Sequence, residues 1–450
     1  MPGSRRVRFC LYLVLLSSLA LVGSNIEKQL TVAGTSPITV ATSAGTATVA
    51  CNTCGINGPN STAFGNLIGG QLSSAITTQY GIPGFTPSAS ARDSVLSMAG
   101  FVRNLSIYNT ATYPNGSLAR VGFFVDSGYG TTSPRPNGIN LYNGLVAGTY
   151  SDTLTSSRIQ TASFLNLRTF REGATATGVV GGWAAEFVPD GSAAPLIGWR
   201  NGTVAAATTV YYPPVGTGVD TTEVEAALPV PFDMTVSRFC LVTASAQPAT
   251  GTLVVTFRDS GADTALAITV PISGLAGIYC NLVNTASLTG GTDYMTLAAT
   301  NNAPAAASAN IQSWSIAHQA ASGTKWAVCG GGGSIFANGT TTYWTPLTGQ
   351  VSVVEVNETL PIAQSSATAT DLYVYIGSAA GGAGSNTAFT VRENLAASAL
   401  TRTVAGVGTG SFAGTGTLTL VQGETISMEV VQTGGVSSGI VGGFCFSIAP

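Results

Sequence analysis

Apolar and polar residues alternate with a period of two in short runs along most of the chain. The clearest series lies near the C-terminus, at residues 340–345, 350–356, 371–377, 387–393, 400–405, 415–421, 425–431 and 440–447. Successive side chains of a strand point to opposite faces, so each run reads as a strand with one buried side. In 371–377, Leu372, Val374 and Ile376 face one way and Asp371, Tyr373 and Tyr375 the other. The second set is only half polar, so that face is expected to meet another domain or subunit. Helical periodicity is weak throughout, because Thr, Val and Gly interrupt the Ala-rich stretches. Eight antiparallel strands in about 110 residues fit a double-sheet jelly roll. Seven would fit an immunoglobulin-like sandwich.

The pattern occurs three times. Thr77-Thr78-Gln79-Tyr80-Gly81-Ile82-Pro83 returns as Thr208-Thr209-Val210-Tyr211-Tyr212-Pro213-Pro214 and as Thr340-Thr341-Thr342-Tyr343-Trp344-Thr345-Pro346. Phe124-Val125-Asp126-Ser127-Gly128 matches Phe257-Arg258-Asp259-Ser260-Gly261 and, more loosely, Phe389-Thr390-Val391-Arg392-Glu393-Asn394. The runs around Trp183, Trp314 and Phe444 match as closing strands, and these three aromatics read as core. Anchors at a nearly constant offset predict an all-β protein of three tandem antiparallel β-sandwiches, at 76–190, 205–319 and 338–450. Gly/Ala-rich connectors such as Gly330-Gly331-Gly332-Gly333-Ser334 are expected between them, and the tandem order suggests an elongated shape.

Residues 1–24 differ from the rest. Arg5, Arg6 and Arg8 precede a largely apolar stretch that ends in Val22-Gly23-Ser24, a secretory-signal pattern. Beyond it no apolar run approaches a membrane span. Residues 25–75 form an extended, β-rich segment with too few strand-like snippets to bury a core. Removing the signal also removes Cys10, leaving six cysteines that allow 15 pairings. Proximity favours Cys51–Cys54, Cys240–Cys280 and Cys329–Cys445, as expected of a secreted chain.

Composition narrows the chemistry. Charged residues are 8% of the 450, with a net charge of -3 and one histidine. No basic surface offers itself to nucleic acid. The lone His318 leaves little room for histidine-based metal or acid–base chemistry, and reads as incidental. Gly435-Val436-Ser437-Ser438-Gly439 has the spacing of a nucleophile elbow, but the only histidine lies upstream, so it reads as a turn. Glu223 and Glu225 are expected on one face of a strand, without a counterpart in the other repeats. Asp126 and Asp259, each in Asp-Ser-Gly, read as hairpin turns rather than calcium ligands. No catalytic residue, metal or cofactor is expected. Exposed, Tyr211, Tyr212, Tyr343 and Trp344 would be platforms for sugar rings; buried, they would be core. Sequons at Asn60, Asn104, Asn115, Asn201, Asn338 and Asn357 permit glycosylation, in a number a chain this rich in Asn, Ser and Thr carries by chance.

The series from Asp371-Leu372-Tyr373-Val374 through Val421-Gln422-Gly423-Glu424-Thr425-Ile426 to the closing run at 442–450 resembles the Ala/Gly/Thr-rich jelly-roll modules of phage virion fibre and decoration proteins and of microbial extracellular fibril proteins. The resemblance covers about three quarters of the chain and carries no catalytic signature. It implies structural or adhesive work on an outer surface. The signal-like start moves the expectation toward a non-enzymatic subunit of an extracellular filament or surface assembly, with copies of itself as partner. The alternative is a virion fibre or an adhesive glycan-binding module.

Overall fold

The computed structural model describes residues 38–43, 46–51, 65–72, 79–81, 94–110, 118–125, 138–141, 147–172, 181–243, and 245–450 apart from 246, 248–250, 272, 305–307, 337–338, 364–365, 379–384, 407 and 435–438. The signal-like segment, Cys10 and Cys54, Asn60, Asn115 and Asn338, and Asp126 lie outside the described residues. The chain divides into two compact units, 1–59 and 60–450. In the first, β1 (Ile38–Ser43) and β2 (Thr46–Cys51) form a two-stranded antiparallel sheet with Ile38 opposite Cys51.

The second unit is all-β. Its first strands are β3 (Asn66–Leu72), β4 (Gln79–Gly81), β5 (Ser94–Leu96), β6 (Gly100–Asn109), β7 (Leu118–Val125), β8 (Gly138–Leu141), β9 (Gly148–Ile159), β10 (Ser163–Glu172) and β11 (Gly181–Pro189). Next come β12 (Ala194–Val204), β13 (Thr208–Tyr212), β14 (Leu228–Pro229), β15 (Met234–Thr243), β16 (Leu253–Asp259), β17 (Ala262–Val270), β18 (Gly277–Leu288), β19 (Tyr294–Asn301) and β20 (Ala309–Ala320). The last are β21 (Trp326–Phe336), β22 (Thr341–Trp344), β23 (Val351–Ser352), β24 (Leu360–Pro361), β25 (Ser366–Ser378), β26 (Asn386–Glu393), β27 (Ala396–Ala405), β28 (Gly410–Ala413), β29 (Leu418–Val421), β30 (Thr425–Thr433) and β31 (Gly439–Ala449).

One strand order recurs in three consecutive pairs of sheets. The inner sheets run β3-β11-β6-β9, β12-β20-β15-β18 and β21-β31-β25-β28, the last with β29 also on β25. The outer sheets run β4-β10-β7-β8, β13-β19-β16-β17 and β22-β30-β26-β27, and a short strand (β5, β14 or β24) pairs with the second member of each. First and last strands lie side by side, and every pairing between the described strands is antiparallel, which is the interleaving of a jelly roll. Opposite the aromatic of each closing strand the register places a glycine: Gly70 by Trp183, Gly198 by Trp314, Gly330 by Phe444. A Cβ on Gly198 would stand 2.2 Å from the Trp314 ring, so the missing side chain makes room for the indole. All three aromatics are fully buried, and Leu372, Val374 and Ile376 are buried on the face the alternation assigned them.

Several expectations change. Residues 194–204 and 326–336, including Gly330 to Gly333, are not connectors but first strands, whose glycines admit close backbone neighbours. Glu223 and Glu225 do not lie on a strand: Glu223–Glu225 is a 3-10 turn, and Glu355–Glu358 is its counterpart. The sheet pairs are not strung end to end. The β5 strand packs on β12, β15 and β20; β14 on β21, β25 and β31; β24 on β3, β6 and β11. The contacts therefore pass from first to second to third pair and back to the first. The mixed faces of β25 and of the neighbouring pair meet here, with Tyr375 and Tyr294 rings 5.0 Å apart.

The hairpin at Asp259 is as expected: Ser260 and Gly261 take φ of 48° and 84°. Asn394 and Leu395 turn the equivalent hairpin at 49° and 65°. His318 is not incidental. It is fully buried, its ring lies between Phe232 and Trp326, and its Nε2 accepts the Ala327 N–H at 3.0 Å, joining the end of β20 to the start of β21. Burial lowers its pKa from 6.5 to about 4.

Between those values the unfolded chain binds a proton that the folded one refuses. The stability from neutral His318 is complete above about pH 6.5, falls as the pH drops and is lost by about pH 4, an effect of about 3 kcal/mol. Glu393 acts in the opposite sense: burial first, then the hydrogen bond and charge of Glu424, raise it from 4.5 to about 7, so its contribution falls as the pH rises from 4.5 and is fully lost by about pH 7. We expect urea midpoints of the wild type to fall more steeply from pH 6.5 to 4.5 than those of His318→Gln, the difference between the two curves isolating the histidine.

Candidate functional site: the repeated docking ridge

The feature built most alike in the second and third sheet pairs is a ridge that leaves one pair and seats on the next. Its sequence is Glu223-Val224-Glu225-Ala226-Ala227-Leu228-Pro229 in one and Glu355-Val356-Asn357-Glu358-Thr359-Leu360-Pro361 in the other. A 3-10 turn is followed by a two-residue strand whose leucine forms the crest. Proline closes each short strand, which paired on one side only has no further donor to supply. In the first pair the counterpart is β5, with buried Val95 and Leu96.

The sockets are glycine positions on the closing strands and on the first strands paired with them. Leu228 is fully buried with Ala327, Cys329 and Cys445. A Cβ on Gly443 would come within 2.2 Å of its Cδ2, and one on Gly331 within 2.7 Å. Leu360 is fully buried with Leu67 and Ala184. A Cβ on Gly182 would stand 2.3 Å from the Thr359 carbonyl, and one on Gly69 3.0 Å from Leu360 Cδ1. Under β5 serine takes the place of glycine: the Ser97 N–H donates to Ser315 Oγ at 3.3 Å and the two hydroxyls lie 3.1 Å apart. Val95 packs there with Cys240 and Val242.

A guanidinium clamps each 3-10 turn to its own sheet. Arg258 Nε donates to Glu223 Oε1 at 2.8 Å, and the same oxygen accepts the Thr296 hydroxyl at 2.8 Å. Arg392 Nε donates to Glu355 Oε1 at 2.6 Å, which also accepts from Ser427 at 2.9 Å, while Nη1 reaches Glu429 at 3.2 Å. Each arginine also donates to a carbonyl of its hairpin turn, Gly261 or Leu395. Partial burial works against both charges, but the hydrogen bond and charge of the glutamate hold Arg258 and Arg392 above their ordinary pKa. These pairs are mostly shielded from water, where breaking one partner leaves an uncompensated charge.

This arrangement decides the aromatic platforms. Tyr212 and Trp344 are core, against Trp314 at 5.2 Å and Phe444 at 6.3 Å, and offer no face to a sugar. Tyr211 and Tyr343 are half-buried, with Arg258 6.0 Å and Arg392 5.7 Å from their ring centres. Tyr80 lies on β4, which takes the place of β13 and β22 in the first outer sheet.

The cysteines staple the same region. Cys240–Cys280 and Cys329–Cys445 are disulfides between directly opposite residues of neighbouring inner-sheet strands. Cys51 ends β2, and its expected partner Cys54 lies outside the described residues. Among the sequons, Asn104 is engaged: its Nδ2 donates at 2.7 Å to the buried Glu186, which also holds Arg103 at 2.8 Å and the Gly65 N–H at 2.8 Å. A glycan on that nitrogen would break this network. Asn357 sits in the third pair's ridge with its sequon threonine, Thr359, buried, and Asn201 lies within β12. Of the elbow-like run, Gly439 begins β31 and 435–438 lie outside the described residues.

The repeated Glu-Val…Leu-Pro and the arginine about 35 residues on could have been aligned from the sequence, but were hidden by the Glu223/Glu225 strand reading. The buried carboxylate of Glu186 left no sequence signal. Among the described residues no helix is long and apolar enough to cross a membrane. No family model matches the chain, and no curated protein is similar to it.

Truncating a crest empties a filled socket, so Leu360→Ala should cost about 3 kcal/mol in urea unfolding. Gly182→Ala should cost about 2 kcal/mol and more than Gly443→Ala, because its Cβ would meet a backbone carbonyl at 2.3 Å, whereas at Gly443 the nearest atom is the movable end of Leu228 and the nearest backbone carbonyl, that of Gly330, stands at 2.7 Å. Equal losses for the two glycine variants would count against the ridge contact as described.

Proposed function

We propose that the protein is a non-enzymatic structural subunit of an extracellular filament or surface assembly. The observation that carries this reading is that the features shared by the second and third sheet pairs are packing devices: crest, bare socket, arginine clamp and buried aromatic. Two disulfides fit an oxidising compartment outside the cell. An 8% charged composition lowers the repulsion between copies.

The link between copies is assigned to the N-terminal hairpin. A two-stranded sheet is marginal alone and gains stability by adding to the edge of another sheet. Main-chain hydrogen bonds make such addition tolerant of side chains. Repeated head to tail, it gives an open filament. The return of the docking contacts from the third sheet pair to the first favours the second reading, a compact head on a virion fibre or adhesin that recognises glycans.

Electron microscopy of purified protein separates the two: regular filaments support the first, and monodisperse particles with measurable glycan affinity the second. Deleting residues 26–50 should abolish or shorten the filaments. Fibres of unchanged length and stability after deletion would rule out the hairpin as the link.

A further inference from the structure

We infer that residues 60–450 are a trimer written into one chain: the ridge of each jelly roll is built to bind the closing strands of a sibling, and docking rather than the connecting peptides holds the three together. Three observations converge on this. The strand order is the same in each sheet pair. The ridges make the same contact in succession, β5 on the second pair, β14 on the third and β24 on the first. The first strands meet, with Leu67, Ile68, Leu196, Ile197 and Ala327 around one small apolar cavity.

A heterologous contact repeated among identical units closes into a ring when its rotation allows. Here β24 returns to strands that precede it by more than 170 residues, and closure occurs after three units. The closing contact is as well made as the one between sequence neighbours: Leu360 and Leu228 are both fully buried, and both sockets have glycine where a Cβ would collide. The partner this surface fits is therefore another module of its own kind. In the folded chain all three ridges are occupied from within, so contacts between copies fall to other surfaces.

The connector 321–325 allows a direct test in the full chain. A site-specific protease sequence replaces Ser322-Gly323-Thr324, and the folded protein is cut. Neither disulfide crosses the cut, since Cys240–Cys280 lies before it and Cys329–Cys445 after it. The two pieces are expected to co-elute at the undivided mass under native conditions and to part in denaturant. Leu360→Ala and Leu228→Ala should each weaken the association of the cut pieces at least tenfold. Gly182→Ala, on the other piece and on the opposite side of the closing contact, should do the same if Leu360→Ala yields too little protein. Pieces that separate without denaturant overturn the inference. So does a cut protein weakened by Leu228→Ala but indifferent to both Leu360→Ala and Gly182→Ala, which would describe a string rather than a ring. Filament formation is not read in this assay, so its outcome is independent of the proposed function.

Discussion

The seating of an apolar crest on bare backbone is the contact on which the arrangement of residues 60–450 depends. A sheet face carrying ordinary side chains keeps its neighbour about 10 Å away. Glycine on the closing and first strands removes that standoff, and the crests of Leu228 and Leu360 come within van der Waals reach of main-chain atoms. The close approach explains why glycines fall inside strands, where they otherwise weaken them. It also explains the clamp. A crest held on a short strand and a single 3-10 turn would lose its place without Arg258 or Arg392 tying that turn to the sheet behind it.

The other specialised groups lie where this contact needs stiffness. Strands carrying the disulfides form two of the three sockets, those that receive β5 and β14, so those surfaces are cross-linked beneath the contact. His318 fixes the passage from the second sheet pair to the third by accepting a buried N–H that would otherwise be unsatisfied. Glu186 performs a comparable service in the first pair, gathering Arg103, Asn104 and the Gly65 N–H around one carboxylate. A chain with 8% charged residues thus uses several of them internally, at joints rather than at the surface.

Strand-rich character, the Asp259 hairpin, the buried aromatics of the closing strands and the two disulfides were legible in the sequence. The first three rest on local rules, period-two alternation, positive φ at glycine and aromatic bulk in a core, while the disulfides, spanning 40 and 116 residues, rest on pairing the thiols of an oxidised chain by their order along it. The first strands were missed because their signal is weakest where their role is greatest. Gly330 to Gly333 has no side chains to alternate, and reads as a linker by the same absence that makes it a socket. The sugar-platform reading failed at Tyr212 and Trp344 for a related reason: adjacent residues on a strand face opposite sides, and only the tertiary fold says which side is core.

By itself, then, the amino-acid order determined the element type, the period of the repeat and the turns, since these depend on neighbours within a few residues. Only the tertiary structure decided that the three sheet pairs close on one another, that Glu223 and Glu355 serve a ridge, and that His318 is a neutral joint. Those outcomes turn on groups more than a hundred residues apart, such as Leu360 with Leu67, or on desolvation at a crowded junction. Neither quantity is expressed in the spacing of residues along the chain.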